Sequence, residues 1–218
     1  MPEFRQLGLV SYEQAWKLQL DLVSDRAEGR VGDTILLAEH FPVFTLGRKT
    51  PGVREAVAQP TEIEGVPVFP VERGGEATFH GPGQAVLYPI FHLDLLRSGP
   101  RKFLRMLEES IVTVVQSYGL DAFWLEGKTG VWLLDSGGRE RKLASLGIAV
   151  RRSVSYHGLA LNVSTDLSYF RLIQPCGFAP DVMTSMKAEL GIELSVEEVQ
   201  ARLAQVMAER FQQLQGNL

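Results

Sequence analysis

The stretch VPVFPVERGGEATFHGPGQAVLYPIF, residues 66–91, holds two apolar runs of strand length with no helix between them. Val66–Val71 and Ala85–Phe91 read as strands. Pro67 and Pro70 place the first of these near a sheet edge, where a missing N–H is tolerated. Between the runs lies RGGEATFHGPGQ, residues 73–84, with four glycines, a proline, an arginine and a histidine. It reads as a long glycine-rich loop. Such composition suits a backbone cradle for a carbonyl, an anion or an extended chain, although a wide decorative hairpin loop would also carry it.

Outward from this unit, the same kind of reading places the other elements. Ser11 and Gln14 form a capping box, and Trp16, Leu20, Val23 and Ala27 then recur at helical spacing. Thr34–Ala38 is a buried strand. Residues 101–118 form the clearest helix, with Phe103, Leu107, Ile111, Val114 and Tyr118 on one face and Gly119 as its stop. Ala122–Leu125, Gly130–Leu134, Lys142–Val150 and Val154–Val163 read as strands, with Ser136-Gly137-Gly138 as a hairpin turn. Asp181 and Ser195 cap two closing helices, the second through a capping box with Glu198. Strands and helices do not alternate strictly, so a doubly wound parallel sheet is excluded. The expected class is α+β, with helices packed on a mixed, largely antiparallel sheet, and residues 1–218 as one domain.

Composition narrows the function. The chain has 218 residues, 45% of them hydrophobic and 22% charged, which is ordinary for a globular domain. No apolar run reaches the roughly 18 residues of a membrane span. Glu3 and Arg5 interrupt the first segment, so it is no signal peptide. A net charge of −4 argues against a nucleic-acid-binding surface. The single cysteine, Cys176, cannot form an internal disulfide, and the expected compartment is the cytoplasm. His40, His80, His92 and His157 show no metal-ligand spacing, and there is no CxxC; no metal is expected.

Four pieces could carry chemistry. The first is the glycine-rich segment, which is neither a GxxxxGK[ST] phosphate loop nor GxGxxG. The second is RKLASLGIAV, residues 141–150. An inward-facing Lys142 there would lose its charge more readily and become a base, whereas an exposed lysine at a strand end would do nothing. Ser145 and Gly147 break its apolar run with small residues, as close approach by a ligand requires. The third is SYHGLALNV, residues 155–163, where His157-Gly158 interrupts a strand. A histidine so placed is commonly a satisfied core residue. The fourth is IQPCGF, residues 173–178. Free cysteines are often buried, but Pro175 and Gly177 turn the backbone around Cys176 and favour an exposed thiol.

In this order, RGG-x-x-T-x-HGPGQ, K-x-ASLG, HG-x-ALN and PCG followed by Thr184-Ser185 resemble the lipoyl(octanoyl) transferases. These are octanoyl-[acyl-carrier-protein]:protein octanoyltransferases, and the resemblance spans about residues 30–190. It implies a catalytic fold shared with biotin and lipoate protein ligases. It implies transfer of an octanoyl group from octanoyl-acyl carrier protein to a lysine of lipoyl domains of 2-oxoacid dehydrogenase complexes and of the glycine cleavage H protein. No cofactor, nucleic acid or membrane is implied. Carried over by motif position, Cys176 bears the acyl group and Lys142 activates it. Arg73, Gly74, Gly75, Glu76, Ala77, Thr78, Phe79 and His80, with Ser145, Leu146, Gly147, His157, Gly158, Leu159 and Ala160, form the acyl pocket. Phe79 stands where the family more often has tyrosine.

The chemistry suits these residue types. A free thiol has a pKa of roughly 8.5, so a nearby amine must stabilise the thiolate or take its proton. Read from residues alone, a Cys–His pair is the commoner arrangement, which favours His157 or His80 as base. Thioester exchange onto Cys176 is nearly balanced in energy, and amide formation then runs downhill. The backbone N–H groups of Leu146-Gly147 and His157-Gly158 are candidate oxyanion donors, each contributing about 3–4 kcal/mol. Sheltering five or six methylenes contributes roughly 4–5 kcal/mol. Arg97, Arg101, Lys102 and Arg105 form a candidate patch for an acidic carrier protein. Two enzyme alternatives stand beside this: an ATP-dependent lipoate or biotin protein ligase, and an amidotransferase moving octanoyl between lipoyl domains.

Overall fold

The computed structural model describes residues 1–50, 61–95, 99–173 and 180–216. The strands in chain order are β1 Glu3–Val10, β2 Thr34–His40, β3 Val43–Leu46, β4 Thr61–Ile63, β5 Val66–Pro70 and β6 Ala77–His80. They continue as β7 Gln84–Ile90, β8 Phe123–Leu125, β9 Lys128–Leu134, β10 Glu140–Arg151 and β11 Val154–Asn162. The helices are α1 Tyr12–Ala27, α2 Gly99–Gln116, α3 Met186–Leu190 and α4 Val196–Gly216. Short 3-10 turns cover Leu93–Leu95, Leu167–Leu172 and Pro180–Val182.

A seven-stranded sheet runs β1-β2-β7-β11-β10-β9-β8, and a four-stranded sheet runs β4-β5-β3-β6. In the large sheet β1 and β2 are parallel and every other neighbouring pair is antiparallel. The class is therefore the expected α+β with a mixed, mostly antiparallel sheet. The period-2 alternation of strand side chains explains the layering. Ile35, Leu37, Leu87, Leu159 and Leu161 face one way, into a core shared with Phe103, Leu107 and Ile111 of α2 and Leu203 and Phe211 of α4. Leu36, Ala38, Val86, Tyr88 and Ala160 face the other way, against Ala15, Leu22 and Val23 of α1. The small sheet sits beside α1, where Val43, Val71 and Phe69 meet Tyr12 and Trp16.

Three local expectations need correction. The segment 73–84 is not one loop: Ala77–His80 is strand β6, paired antiparallel with β3. Four residues were enough to form a strand because β3, itself only four residues long, offers an edge in register. Helix α1 begins at Ser11 as expected, with the Ser11 hydroxyl accepting the Gln14 N–H. Its buried face is Tyr12, Ala15, Gln19, Leu22 and Val23, however, while Trp16, Leu20 and Ala27 stand at the margin. Two of the five inward residues are polar, which hid the stripe. Asp181 caps no helix; it lies in a 3-10 turn, and Ser185 caps α3 by accepting the Ala188 N–H. Ser195 caps α4 as expected, through the Glu198 N–H. Strand β5 lies one place in from the edge strand β4.

Interior strand β7 carries Pro89, which has no N–H for the ladder. Ser155 compensates. Its hydroxyl donates to the Pro89 carbonyl at 2.6 Å and accepts the Phe91 N–H at 3.1 Å. Ser155→Ala leaves both buried groups short of a partner. We expect it to lower stability by about 1–3 kcal/mol, read from the urea unfolding midpoint, with little change in the folded secondary structure.

Candidate active site

A narrow cleft opens between the large sheet and the segment that links the sheets. Ser145, Leu146 and Gly147 of β10, Gly158, Leu159 and Ala160 of β11, and Val86 and Tyr88 of β7 line one side. Arg73, Gly75, Thr78 and His80 line the other, with Tyr12 and His157 completing the wall. Tyr12, Val86 and Tyr88 were missed in the sequence: Tyr12 falls outside the stripe read for α1, and Val86 and Tyr88 read as ordinary residues of a buried strand. Gly74, Glu76, Ala77 and Phe79 support the cleft without lining it. Gly74 docks on β10, its N–H donating to the Ile148 carbonyl at 3.0 Å. The Glu76 carbonyl accepts the Gly47 N–H. Ala77 and Phe79 are buried with Phe44, Phe170 and Met183, and Phe79 stacks on Tyr169 at 4.4 Å. A phenyl ring suits that apolar position.

The glycine-rich segment reaches the sheet because Gly147 has no side chain. A Cβ there would lie 2.5 Å from the Gly74 carbonyl oxygen. Residues of the 47–49 turn clamp the same segment from above: the Arg48 N–H donates to the Arg73 carbonyl and the Lys49 N–H to the Gly75 carbonyl.

One continuous run of hydrogen bonds joins residues from all four motifs. The buried Arg73 guanidinium donates to the Thr45 hydroxyl at 2.8 Å and to the Thr45 carbonyl at 2.7 Å. That hydroxyl then donates to His80 Nε2 at 3.4 Å. His80 Nδ1–H donates to Gln84 Oε1 at 2.8 Å. The Gln84 amide donates to Asn162 Oδ1 at 2.9 Å, and the Asn162 amide to the Thr184 carbonyl at 3.0 Å. The Thr184 N–H closes on the Lys142 carbonyl at 2.9 Å. Because the Thr184 carbonyl can only accept, the Asn162 and Gln84 amides both donate toward it, His80 carries its proton on Nδ1, and its Nε2 accepts from Thr45. Gln84 and Asn162 stand inside the quoted motifs, yet their function as links was not legible: a sequence does not say which amide faces which.

Lys142 is buried, 3% exposed. Strict alternation backward from Ser145 and Gly147 would point it away from the cleft. The β9–β10 register shifts between Lys142 and Ala144, so Leu143 and Ala144 both enter the large core. That irregularity puts Lys142 on the sheet face that carries the cleft, beyond the residues that line the cleft itself. It pairs there with Trp132, its Nζ 5.3 Å from the ring centroid. Gly130, at φ 136, makes room: a Cβ would lie 2.7 Å from Lys142 Cε. Cys176 lies outside the described residues. The chain before it ends its described part at the buried Ile173, and the chain after it bridges Met183 to Lys142.

His40, His80 and His157 are buried. Burial pushes His80 down to about 3, with His40 and Arg73 adding to the effect. Both of its ring nitrogens are engaged, so it orients rather than exchanges protons. Burial pushes His40 down to about 4; its ring donates to the Val10 carbonyl and accepts the Tyr88 hydroxyl. His157, at φ 55, is lowered by burial against the opposing pull of Glu72, whose carboxylate is 3.5 Å from Nε2. The His157 N–H donates to Gln19 Oε1 at 2.8 Å. It is therefore taken, and the expectation that it serves an oxyanion is withdrawn. The carrier-protein patch also changes. Arg97 lies outside the described residues, while Arg101 and Lys102 are exposed on α2. Arg105 is committed, with its guanidinium 3.3 Å from the Trp124 ring centroid and 2.8 Å from Glu108. Among the described residues no cluster of three His, Cys, Asp or Glu side chains converges, and no helix is long and apolar enough to cross a membrane.

Comparison with known proteins follows from this geometry. The family described as the lipoyl protein ligase A/B catalytic domain matches residues 11–208. The chain is 42% identical over 208 residues to an octanoyltransferase of Chloroflexus aurantiacus, covering 94% of this chain and 92% of that one. It is 43% identical over 206 residues to an octanoyltransferase of Mycobacterium tuberculosis, covering 93% and 84%. The chain belongs to the octanoyltransferases of this family. Membership makes it a transferase of protein lipoylation. The fold agrees: a lipoate-protein ligase A bound with ATP superposes with a TM-score of 0.67 at 17% identity, over 97% of this chain and 85% of the other. A biotin protein ligase from Aquifex aeolicus, in complex with biotin and ATP, gives 0.61 at 11% identity, over 99% and 73%.

Two predictions follow from the octanoyltransferase cleft. Gly130→Ala drives a methyl into the Lys142 stem, so turnover should fall about 100-fold with the fold retained by circular dichroism. The second concerns pH. His40 and His80 titrate near 6.5 when unfolded and near 4 and 3 when folded. Their stabilisation is thus full above pH 6.5 and is lost as pH falls through the folded values. The urea midpoint should drop over that acid range, and His40→Gln should make the drop shallower.

Proposed function

We propose that the protein moves an octanoyl group from octanoyl-acyl carrier protein, through a thioester on Cys176, to a lysine of lipoyl domains, including those of 2-oxoacid dehydrogenase complexes and the glycine cleavage H protein. The observation that carries this is Lys142, buried on the sheet face that carries the cleft and bridged to Met183. The 42–43% identity to octanoyltransferases supports the acyl group.

The Cys176 thiol gives its proton to the Lys142 amine, and the thiolate attacks the donor thioester carbonyl. The carbon–sulfur bond to the carrier breaks, and the carrier thiol leaves with the proton. The octanoyl chain lies in the cleft on the Gly147, Gly158 and Ala160 face, under Arg73–His80. The target lysine then attacks as a free amine; Lys142 takes its proton, and the Cys176 thiol is restored. No nucleotide enters either step, because a thioester already carries the activation. Leu146-Gly147 remains the candidate oxyanion donor. Both ring nitrogens of His40 and of His80 are engaged, which favours Lys142 over either as base.

The test is intact-mass measurement of the protein exposed to octanoyl-acyl carrier protein without ATP. An octanoyl increment on Cys176 is expected, discharged on adding a lipoyl domain. Strict ATP dependence would mean a ligase instead, and discharge only from an octanoylated domain an amidotransferase. Cys176→Ala should abolish transfer and leave the unfolding midpoint within about 1 kcal/mol of the parent. Lys142→Ala should move the pH midpoint of Cys176 alkylation upward, and an unmoved midpoint would remove the lysine from the mechanism.

A further inference from the structure

Glu108 is a buried carboxylate that the mechanism above does not use. It sits on α2, 3% exposed. Carboxylates are seldom buried without a stated task, and this one has three neighbours that matter. Its Oε1 accepts the Gly130 N–H at 2.9 Å. Its Oε2 pairs with Arg105 at 2.8 Å, and Arg105 in turn lies on the Trp124 ring. Lys142 acts on it electrostatically.

Gly130 is the link. It donates to Glu108 from one side, and on the other its Cα lies against the Lys142 stem, close enough that a Cβ would collide with Cε. The same missing side chain also clears the Ala144 carbonyl, at the register shift that puts Lys142 on the sheet face carrying the cleft. Displacing Gly130 therefore displaces the lysine. The charged groups about Glu108 are Arg105 and Glu109 on its own helix and Lys142 on β10. Burial raises its carboxyl; the Gly130 N–H, Arg105 and Lys142 oppose that, and Glu109 adds to it. About Lys142 itself the neighbouring cations among the described residues include Arg141, which donates to the Met183 carbonyl, and Lys128, which lies over the same Trp132 ring.

We propose that Glu108 is a positioning residue for Lys142, holding the Gly130 backbone against which the lysine stem lies and supplying a negative charge that favours the ammonium. The inference rests on the reading that Lys142 is the working amine. Loss of that negative charge lets Lys142 give up its proton at lower pH, so the thiol loses the ammonium that steadies its anion and moves in the same direction as in Lys142→Ala.

The experiment compares the pH midpoint of Cys176 alkylation in the parent, Glu108→Gln, Glu109→Gln, Lys142→Ala and the double variant Lys142→Ala/Glu108→Gln. Glutamine keeps an oxygen for the Gly130 N–H, so this variant separates charge from fold. The expected result is a midpoint raised by up to about one pH unit in Glu108→Gln, in the direction that Lys142→Ala moves it, with Glu109→Gln near the parent. In the Lys142→Ala background Glu108→Gln should shift nothing further. Glu108→Ala, which also orphans the Gly130 N–H, should lower turnover well beyond Glu108→Gln. An unshifted Glu108→Gln overturns the proposal while Lys142→Ala still moves the midpoint. A shift that persists without Lys142 also overturns it, because the charge would then act on the thiol directly. If Lys142→Ala itself leaves the midpoint unmoved, the failure lies in the reading of Lys142 instead.

Discussion

A strand that must bury two consecutive side chains and still present the next one to the opposite face needs an irregularity. Leu143 and Ala144 both belong to the large core, and Lys142 lies with Trp132 on the opposite face of the sheet. A regular β10 cannot satisfy both, because neighbouring side chains alternate. The register shift against β9 resolves the conflict, and Gly130 supplies the space it requires. The placement of the amine, the seat of Met183-Thr184 beside it and the direction of the cleft all follow from that shift.

The cleft is built from two sheets that touch through backbone. The glycine-rich segment lies on β10 because Gly147 brings no side chain to the contact. Its other side is held by the 47–49 turn, and its arginine is held by Thr45 of β3. A charged side chain buried at 7% exposure thus serves as a fixed donor at the head of a hydrogen-bond run ending at the Lys142 carbonyl. Such a fully connected polar run rigidifies its surroundings, since breaking any link leaves a buried group unpaired. This explains how residues far apart in the chain act as one site.

The three histidines beneath the cleft illustrate why residue type alone misleads. His80 and His157 were reasonable bases by chemistry. Burial keeps His80 neutral far below physiological pH and both its nitrogens are occupied, while the His157 backbone is tied to Gln19. Their contribution is shape and orientation.

The sequence by itself determined the α+β class, the main strands and helices, and the motifs that surround the cleft. Apolar periodicity and turn residues are local signals, and the chain obeys them at Thr34–His40, Gln84–Ile90 and along α2. It did not show β6 within the glycine-rich segment, because a four-residue strand exists only where a partner edge is offered. Nor did it show the inward face of α1, where Tyr12 and Gln19 interrupt the apolar stripe. Only the tertiary structure decided which way Lys142 points and which amide and hydroxyl groups connect His80 to Thr184. Those outcomes depend on contacts between strands distant in sequence, whose register no local pattern encodes.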